Sequence, residues 1–122
     1  MNIKLLKQYN LKFVKTKDIR GNIGFGVMST NGKGGVSEFL DDIILSEDAI
    51  DCLSRIKLYL EGESPEFDSG LYVSCCYANI YESKIYIRSI SPDITYPIDI
   101  VPLKDFHDLL EMWRDFLIEN GN

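Results

Sequence analysis

The chain has few of the side chains from which catalytic and metal centres are usually built. Its 122 residues include one histidine, one tryptophan and three cysteines. It also has no internal repeat and no low-complexity run. Near the N-terminus the apolar pair Leu5 and Leu6 lies between lysines and is followed by polar residues, so this segment is expected to be neither a secretory leader nor a membrane span.

The composition is that of a globular protein. Hydrophobic residues make up 45% of the chain and charged residues 26%, a balance that excludes a disordered tail. The length predicts one domain, residues 1–122, with a core that needs no disulfide or metal.

The cysteines indicate the compartment. Cys52, Cys75 and Cys76 are odd in number, and the adjacent pair lies in a strand-like segment, where successive side chains point to opposite faces. A disulfide framework is therefore not expected, and the sequence predicts free thiols in a reducing cytoplasm.

Charge is unevenly distributed along the chain, although the total is −6. Residues 1–37 contain seven basic residues and one acidic residue, whereas residues 38–68 contain ten acidic and two basic residues. We call residues 38–68 the acidic segment. Such polarisation gives the protein two surfaces of opposite charge, of which the acidic one is the stronger.

The first half of the chain predicts a hairpin and a helix. Alternating residues in 11–16 and 23–27 predict two strands, and Gly24 and Gly26 on one face of the second indicate a bulge, a bend or a closely packed neighbour. "FLDDIIL" is a short strand or a connection. Ser46 is predicted to cap a helix with an apolar stripe at helical spacing, and Gly62 to end it.

The second half predicts a meander and a final helix. The segments 71–80, 84–90 and 95–101 are β-rich, and Pro97 indicates that the third lies at an edge or carries a bulge. A helix follows from about Leu103 to about Ile118. The order β-β-(β)-α-β-β-β-α predicts an α+β fold in which two helices pack on one face of a single, mostly antiparallel sheet.

The glycine-rich stretch "STNGKGGVSEF" is similar to the beginning of a phosphate-binding loop. Such a loop needs a Lys followed by Ser or Thr at the start of a helix. Here Val36 is followed by Ser37, Glu38 and Phe39, so the lysine is absent and a carboxylate would repel phosphate. The stretch between Gly32 and Gly35 is therefore interpreted as a mobile connection, and no nucleotide or other cofactor is predicted.

No catalytic or metal constellation is apparent. His107 and Glu111 lie one helical turn apart, but two ligands do not make a metal site, and their neighbours are typical of a solvated helix face. A nucleophilic Cys75 or Cys76 would have only His107 as a base. The sequence therefore predicts a protein that is not an enzyme.

Two binding surfaces remain. Tyrosines cluster in the meander, where bases could stack, but the meander and final helix are net negative, so cross-strand packing is the preferred interpretation and no nucleic acid partner is predicted. The acidic segment combines uncompensated charge with aromatic side chains and suits docking to a basic protein. The predicted partner-binding residues are Glu38, Asp41, Asp42, Glu47, Asp48, Asp51, Tyr59, Glu61, Glu63, Glu66, Phe67 and Asp68.

The ending "YPIDIVPLKDFHDLLEMWRDFL", a strand followed by a Leu-x-x-Phe, Trp and Phe-Leu helix, resembles the close of several immunity proteins of bacterial toxin systems, including contact-dependent growth inhibition. The resemblance covers about the last quarter of the chain. It implies a small acidic cytoplasmic protein that covers the active site or substrate groove of a cognate toxin domain, often a basic nuclease. The alternative is a non-enzymatic adaptor or a homodimer built through a sheet edge.

Overall fold

The computed structural model describes residues 2–32, 34–63 and 70–122 and has the α+β architecture expected from the sequence. Its helices are α1 (Ile3–Gln8), α2 (Gly35–Asp41), α3 (Ser46–Leu60) and α4 (Leu103–Glu119). Its strands are β1 (Leu11–Lys17), β2 (Ile23–Ser29), β3 (Gly70–Tyr72), β4 (Cys76–Tyr81), β5 (Lys84–Ser89) and β6 (Asp99–Pro102). Among the described residues, no helix is long and apolar enough to cross a membrane.

The strands form two sheets rather than the predicted single sheet. β1 and β2 make a two-stranded antiparallel sheet, and β3 to β6 make a four-stranded antiparallel sheet in the order of the chain. The small sheet packs by its aromatic side chains on α4, because Phe13 lies 5.1 Å from Trp113 and 5.5 Å from Phe116 between ring centroids. As predicted, the last strand of the meander lies at a sheet edge.

Two helices were missing from the sequence prediction. α1 begins at Asn2, whose side chain accepts a hydrogen bond from the Leu5 amide at 3.0 Å. α2 replaces the short strand or connection predicted for "FLDDIIL". Its buried side chains, Val36, Phe39 and Leu40, are spaced three and four residues apart, which is a helical pattern. The stretch "FLDDIIL" does not show this pattern by itself, because it begins at Phe39 and omits Val36.

Other boundaries also differ from the prediction. Residues 71–80 contain two strands, β3 and β4, that pair with each other across a reversal at residues 73–75. Only the end of the segment 95–101 is a strand. Ser46 does not cap α3: Leu45 is the capping residue, and the Ser46 hydroxyl donates to the Asn122 carbonyl at 3.0 Å.

The core lies between the inner face of the large sheet and the helices. Alternate residues of β4, β5 and β6 are buried on this face, among them Ala78, Ile87 and Val101. α2 and α4 cover it and meet through the rings of Phe39 and Phe106, whose centroids lie 5.5 Å apart. α3 packs against α4. The predicted stripe of α4 is confirmed, since Phe106, Leu110, Trp113 and Leu117 are all fully buried.

Candidate functional site

The described acidic residues of the acidic segment lie in two consecutive helices, α2 and α3, and at their C-terminal ends. Glu38 and Asp41 lie in α2, Asp42 ends that helix, Glu47, Asp48 and Asp51 lie in the first half of α3, and Glu61 and Glu63 follow its end. Glu66, Phe67 and Asp68, also predicted to bind a partner, lie outside the residues that the structure describes. The described acidic residues therefore have to be considered in two groups, one at each end of α3.

Two of the predicted contact residues are engaged in holding the fold together. Asp41 Oδ1 accepts a hydrogen bond from the Val27 amide in β2 at 2.9 Å. Asp42 Oδ2 accepts one from the Cys75 amide at 2.8 Å, at the reversal between β3 and β4. α2 thus fastens one sheet through Asp41 and the other through Asp42. Charge-assisted bonds of this kind to backbone amides stabilise the fold, so Asp41 and Asp42 cannot be replaced without loss of a structural contact, although their carboxylates keep their charge.

Two acids at the start of α3, but not Glu47, line a groove of about 370 Å³ together with an aromatic side chain. Asp48 and Asp51 line one side of this groove, and Tyr72 of β3 lines the other. The complete lining consists of Asp42, Ile43, Asp48, Asp51, Cys52, Arg55, Leu71, Tyr72, Val73 and Ser74. We call this the acidic groove.

The acidic groove has the electrostatics of a site for a cationic side chain. It contains three carboxylates and one guanidinium, and the guanidinium of Arg55 donates to the Gly70 carbonyl at 3.3 Å. The Tyr72 ring is exposed and presents a π face on which an Arg or Lys side chain could lie. Negative charge beside an accessible ring attracts and orients a basic side chain.

The other predicted residues lie elsewhere. Tyr59 packs against the hydrophobic core, and with Glu63 and Tyr81 it lines a separate depression of about 290 Å³. Glu61 lies 3.9 Å from Lys57 one turn earlier, in an exposed ion pair. The structure therefore brings Asp42, Asp48 and Asp51 together but does not bring Tyr59, Glu61 or Glu63 to them.

The cysteines are free thiols with the environment of structural rather than nucleophilic groups. Cys75 lies in the bend before β4 and is exposed, whereas Cys76 begins β4 and is buried. Their sulfurs lie 3.6 Å apart, so the two side chains do not point to opposite faces of a strand as the sequence predicted. Although Cys75 is exposed, partial desolvation of its sulfur raises the pKa of the thiol, and the carboxylates of Asp42 and Glu38 raise it further. Burial also raises the pKa of Cys76. At neutral pH both thiols are held in the protonated form, which is the unreactive one.

His107 lies among charged side chains on α4. Its Nδ1 lies 3.1 Å from Asp108 Oδ1 and 3.5 Å from Glu111 Oε1. The sequence prediction considered Glu111 but not Asp108. Lys104 Nζ lies 2.9 Å from the Asp108 carboxylate, and Arg114 lies 3.9 Å from that of Glu111. The carboxylates are therefore already matched by cations of their own helix. Burial opposes ionisation of Asp108, but hydrogen bonds from Lys104 and His107 prevail and lower its pKa.

The glycine-rich stretch leads into α2 in a way that does not suit phosphate. Gly32 and Gly34 have positive φ angles of 73° and 134°, conformations that favour glycine, while Lys33 lies outside the described residues. At the start of α2, Asp99 Oδ2 lies 3.3 Å from the Val36 amide nitrogen and accepts its hydrogen bond. A carboxylate thus occupies the position that a phosphate-binding loop would leave to its ligand.

Comparisons with known proteins add no assignment to these observations. The chain matches no protein-family model, no curated protein and no solved structure. Its function must therefore be inferred from the acidic groove and the surfaces around it.

Proposed function

We propose that the protein is an immunity protein, which binds a cognate bacterial toxin domain and blocks its active site or substrate groove. The observation that carries the proposal is the acidic groove, where Asp42, Asp48 and Asp51 lie beside the exposed ring of Tyr72. A basic nuclease presents Lys and Arg side chains to the phosphates of its substrate. The groove offers these side chains carboxylates and an aromatic face in place of the substrate.

The proposal also rests on the resemblance of the chain's last quarter to immunity proteins. Inhibition by occlusion needs a stable surface of complementary charge and requires no catalytic group. Cys75 and His107 suit this role, because the thiol is held protonated and the imidazole faces carboxylates of its own helix. A partner of opposite charge would associate rapidly at low ionic strength, since the field of the acidic segment steers it to the groove.

The proposal predicts a toxin gene directly upstream of this one, and the C-terminal domain that it encodes is the partner to test. Under the proposal, the two proteins form a one-to-one complex, and co-expression protects cells from the toxin. Stopped-flow association at increasing salt should show a rate that falls steeply with ionic strength. If neither complex nor protection is found and the chain is instead a dimer in solution, the adaptor or homodimer alternative is preferred.

Charge reversal tests the acidic groove itself. In the double variant Asp48→Lys/Asp51→Lys, association should slow about tenfold at low salt and its salt dependence should flatten. Asp41 and Asp42 are left unchanged, because they hold backbone amides. The matched control is Asp115→Lys/Glu119→Lys, which makes the same change of charge on exposed residues near the end of α4. Equal slowing in both variants would indicate only a general effect of net charge and would remove the groove from the mechanism.

A further inference from the structure

On the outer face of the large sheet, the described strand residues include tyrosines and two cations but no carboxylate. The register of the strands places Tyr72, Tyr77 and Arg88 in one row across the sheet, Asn79, Tyr86 and Ile100 in the next, and Tyr81, Lys84 and Pro102 in the third. Side chains directly opposite each other on paired strands share a face. We call these nine residues the tyrosine face.

Helices α2 and α4 pack against the opposite side of this sheet, so neither covers the tyrosine face. Tyr72, Tyr81 and Ile100 are 67%, 64% and 52% exposed. Tyr77 and Tyr86, on the two central strands, are half-buried by their strand neighbours but do not pack against the hydrophobic core. The rings of Tyr72 and Tyr77 are nearly parallel, with centroids 6.2 Å apart. The face is thus an accessible aromatic surface on a rigid support.

The charge of this face is opposite in sign to that of the protein. The chain has a net charge of −6, yet the ionisable groups of the face other than tyrosine are the cations Lys84 and Arg88. In the described part of the chain, no carboxylate forms an ion pair with either. The acid of β6, Asp99, points away from this face and accepts from the Val36 amide. A sum of charges along the meander does not show on which face of the sheet each charged side chain lies.

We propose that the tyrosine face binds a short segment of single-stranded nucleic acid. Bases would stack on Tyr77 and Tyr86, because every base has a π face that packs on an aromatic ring. Arg88 and Lys84 would contact the phosphates, and the Asn79 amide between the two tyrosines of β4 could both donate to and accept from a base edge. A four-stranded sheet with open aromatic residues accommodates about two or three bases. The tyrosine face adjoins the acidic groove through Tyr72, but Tyr77, Tyr86 and Arg88 do not line that groove, so the proposal does not depend on the toxin interface.

Fluorescence anisotropy with labelled eight-nucleotide RNA and DNA strands of mixed sequence, at about 50 mM salt, tests the proposal. Tyr77→Ala and Tyr86→Ala should each weaken binding about tenfold, since each removes one stacking platform. Tyr77→Phe should bind as well as the parent protein, because the ring remains. Tighter binding of RNA than of DNA would support the proposal and indicate a contact with the 2′-hydroxyl, whereas equal binding would support recognition through bases and phosphates alone.

Salt dependence separates this face from the other basic surface of the protein. Arg88→Ala should lower the slope of log affinity against log salt by about 0.7, the loss expected for one phosphate contact of a single strand. Lys17→Ala, an exposed cation on β1, is the matched control and should leave the slope unchanged. If the slope falls in Lys17→Ala but not in Arg88→Ala, the nucleic acid binds the β1–β2 hairpin instead, and the proposal is wrong.

Two further results would overturn it. One is that the folded parent protein binds neither the RNA nor the DNA oligonucleotide measurably. The other is self-association of the chain that Tyr77→Ala abolishes, because a second copy would then cover the face. Circular dichroism and unfolding midpoints of each variant show that it is folded, and Tyr86→Ala provides an independent test if Tyr77→Ala is not.

Discussion

The carboxylate of Asp41 lies where a side chain at Gly26 would have to be placed. A Cβ on Gly26 would come 2.9 Å from Asp41 Oδ1, the oxygen that accepts the hydrogen bond of the Val27 amide. Glycine at this position therefore permits α2 to dock on β2. The glycines predicted a bulge, a bend or a close neighbour, and the uninterrupted register of β1 and β2 leaves the close neighbour as the reason for Gly26.

Gly26→Ala is therefore expected to reduce the free energy of unfolding by about 1–3 kcal/mol, because displacement of Asp41 leaves the Val27 amide without its partner. Urea denaturation measures the change. Gly24→Ala is the matched control and should cost less, since its Cβ would meet only the Thr16 hydroxyl, at 3.1 Å. In a double-mutant cycle with Asp41→Ala, the two losses should be clearly less than additive. Strict additivity would show that the two residues act independently.

Trp113 joins α4 to the segment between α2 and α3. Its indole Nε1 donates to the Ile43 carbonyl at 2.8 Å, in a fully buried position. Trp113→Phe should lower stability by about 1–3 kcal/mol beyond the cost of the smaller side chain, because the carbonyl loses its donor. Phe39→Leu, which reduces a buried ring without removing a hydrogen bond, measures the packing cost alone. Equal losses in the two variants, measured by circular dichroism in urea, would contradict the prediction.

The phenol of Tyr9 is expected to make the folded protein less stable as the pH becomes alkaline. Its hydroxyl donates to Asp105 Oδ2 at 2.5 Å, and burial together with this hydrogen bond raises the pKa of Tyr9 above its ordinary value of 10.0. Because the folded state holds the phenol proton more tightly than the unfolded state, the stabilisation is complete below pH 10 and is lost as the pH rises above it.

The parent protein should therefore be more stable than Tyr9→Phe at about pH 8, and this difference should narrow at about pH 10.5. Urea titrations of both proteins at the two pH values measure it, and the variant corrects for the titration of lysines. A difference that stays constant would show that the hydrogen bond does not discriminate between the protonated and ionised phenol.

Cys75 should be exposed but slow to react. Its thiol pKa is raised by partial desolvation and by Asp42 and Glu38, so its alkylation by iodoacetamide at neutral pH should be slower than that of glutathione. Glu38→Gln should accelerate it roughly two- to threefold by removing one nearby charge. Glu47→Gln, on α3, is the control. Peptide mass spectrometry assigns the modified residue, and preferential labelling of the buried Cys76 would contradict the structure.

The elements that the sequence predicts well are those whose pattern is local. α4 is read from the spacing of Phe106, Leu110, Trp113 and Leu117, and the end of α3 from Gly62, whose φ angle is 83°. The split of residues 71–80 into β3 and β4 is not local. Residues 73–75 contain the strand-forming Val73 and neither Gly nor Pro, yet the chain reverses there. At this reversal Asp42, 33 positions away, accepts the hydrogen bond of the Cys75 amide.

The same distinction applies to the candidate site. Composition is enough to name Asp48 and Asp51 as acidic contact residues. It does not show that they lie in a different place from Glu61 and Glu63. That separation depends on the packing of β3 beside the first half of α3, which brings Tyr72 to the groove. The placement of Lys84 and Arg88 on one face, with Asp99 on the other, likewise depends on strand register, which a charge count along the chain does not contain.

The acidic residues differ in whether the fold depends on them. Asp41 and Asp42 each hold a backbone amide of a different sheet, whereas Asp48 and Asp51 are exposed on a helix. A library randomised at Asp48 and Asp51 should therefore retain folded members at high frequency while it samples new partners, and one randomised at Asp41 and Asp42 should not. Specificity can change in this protein without a simultaneous repair of its fold.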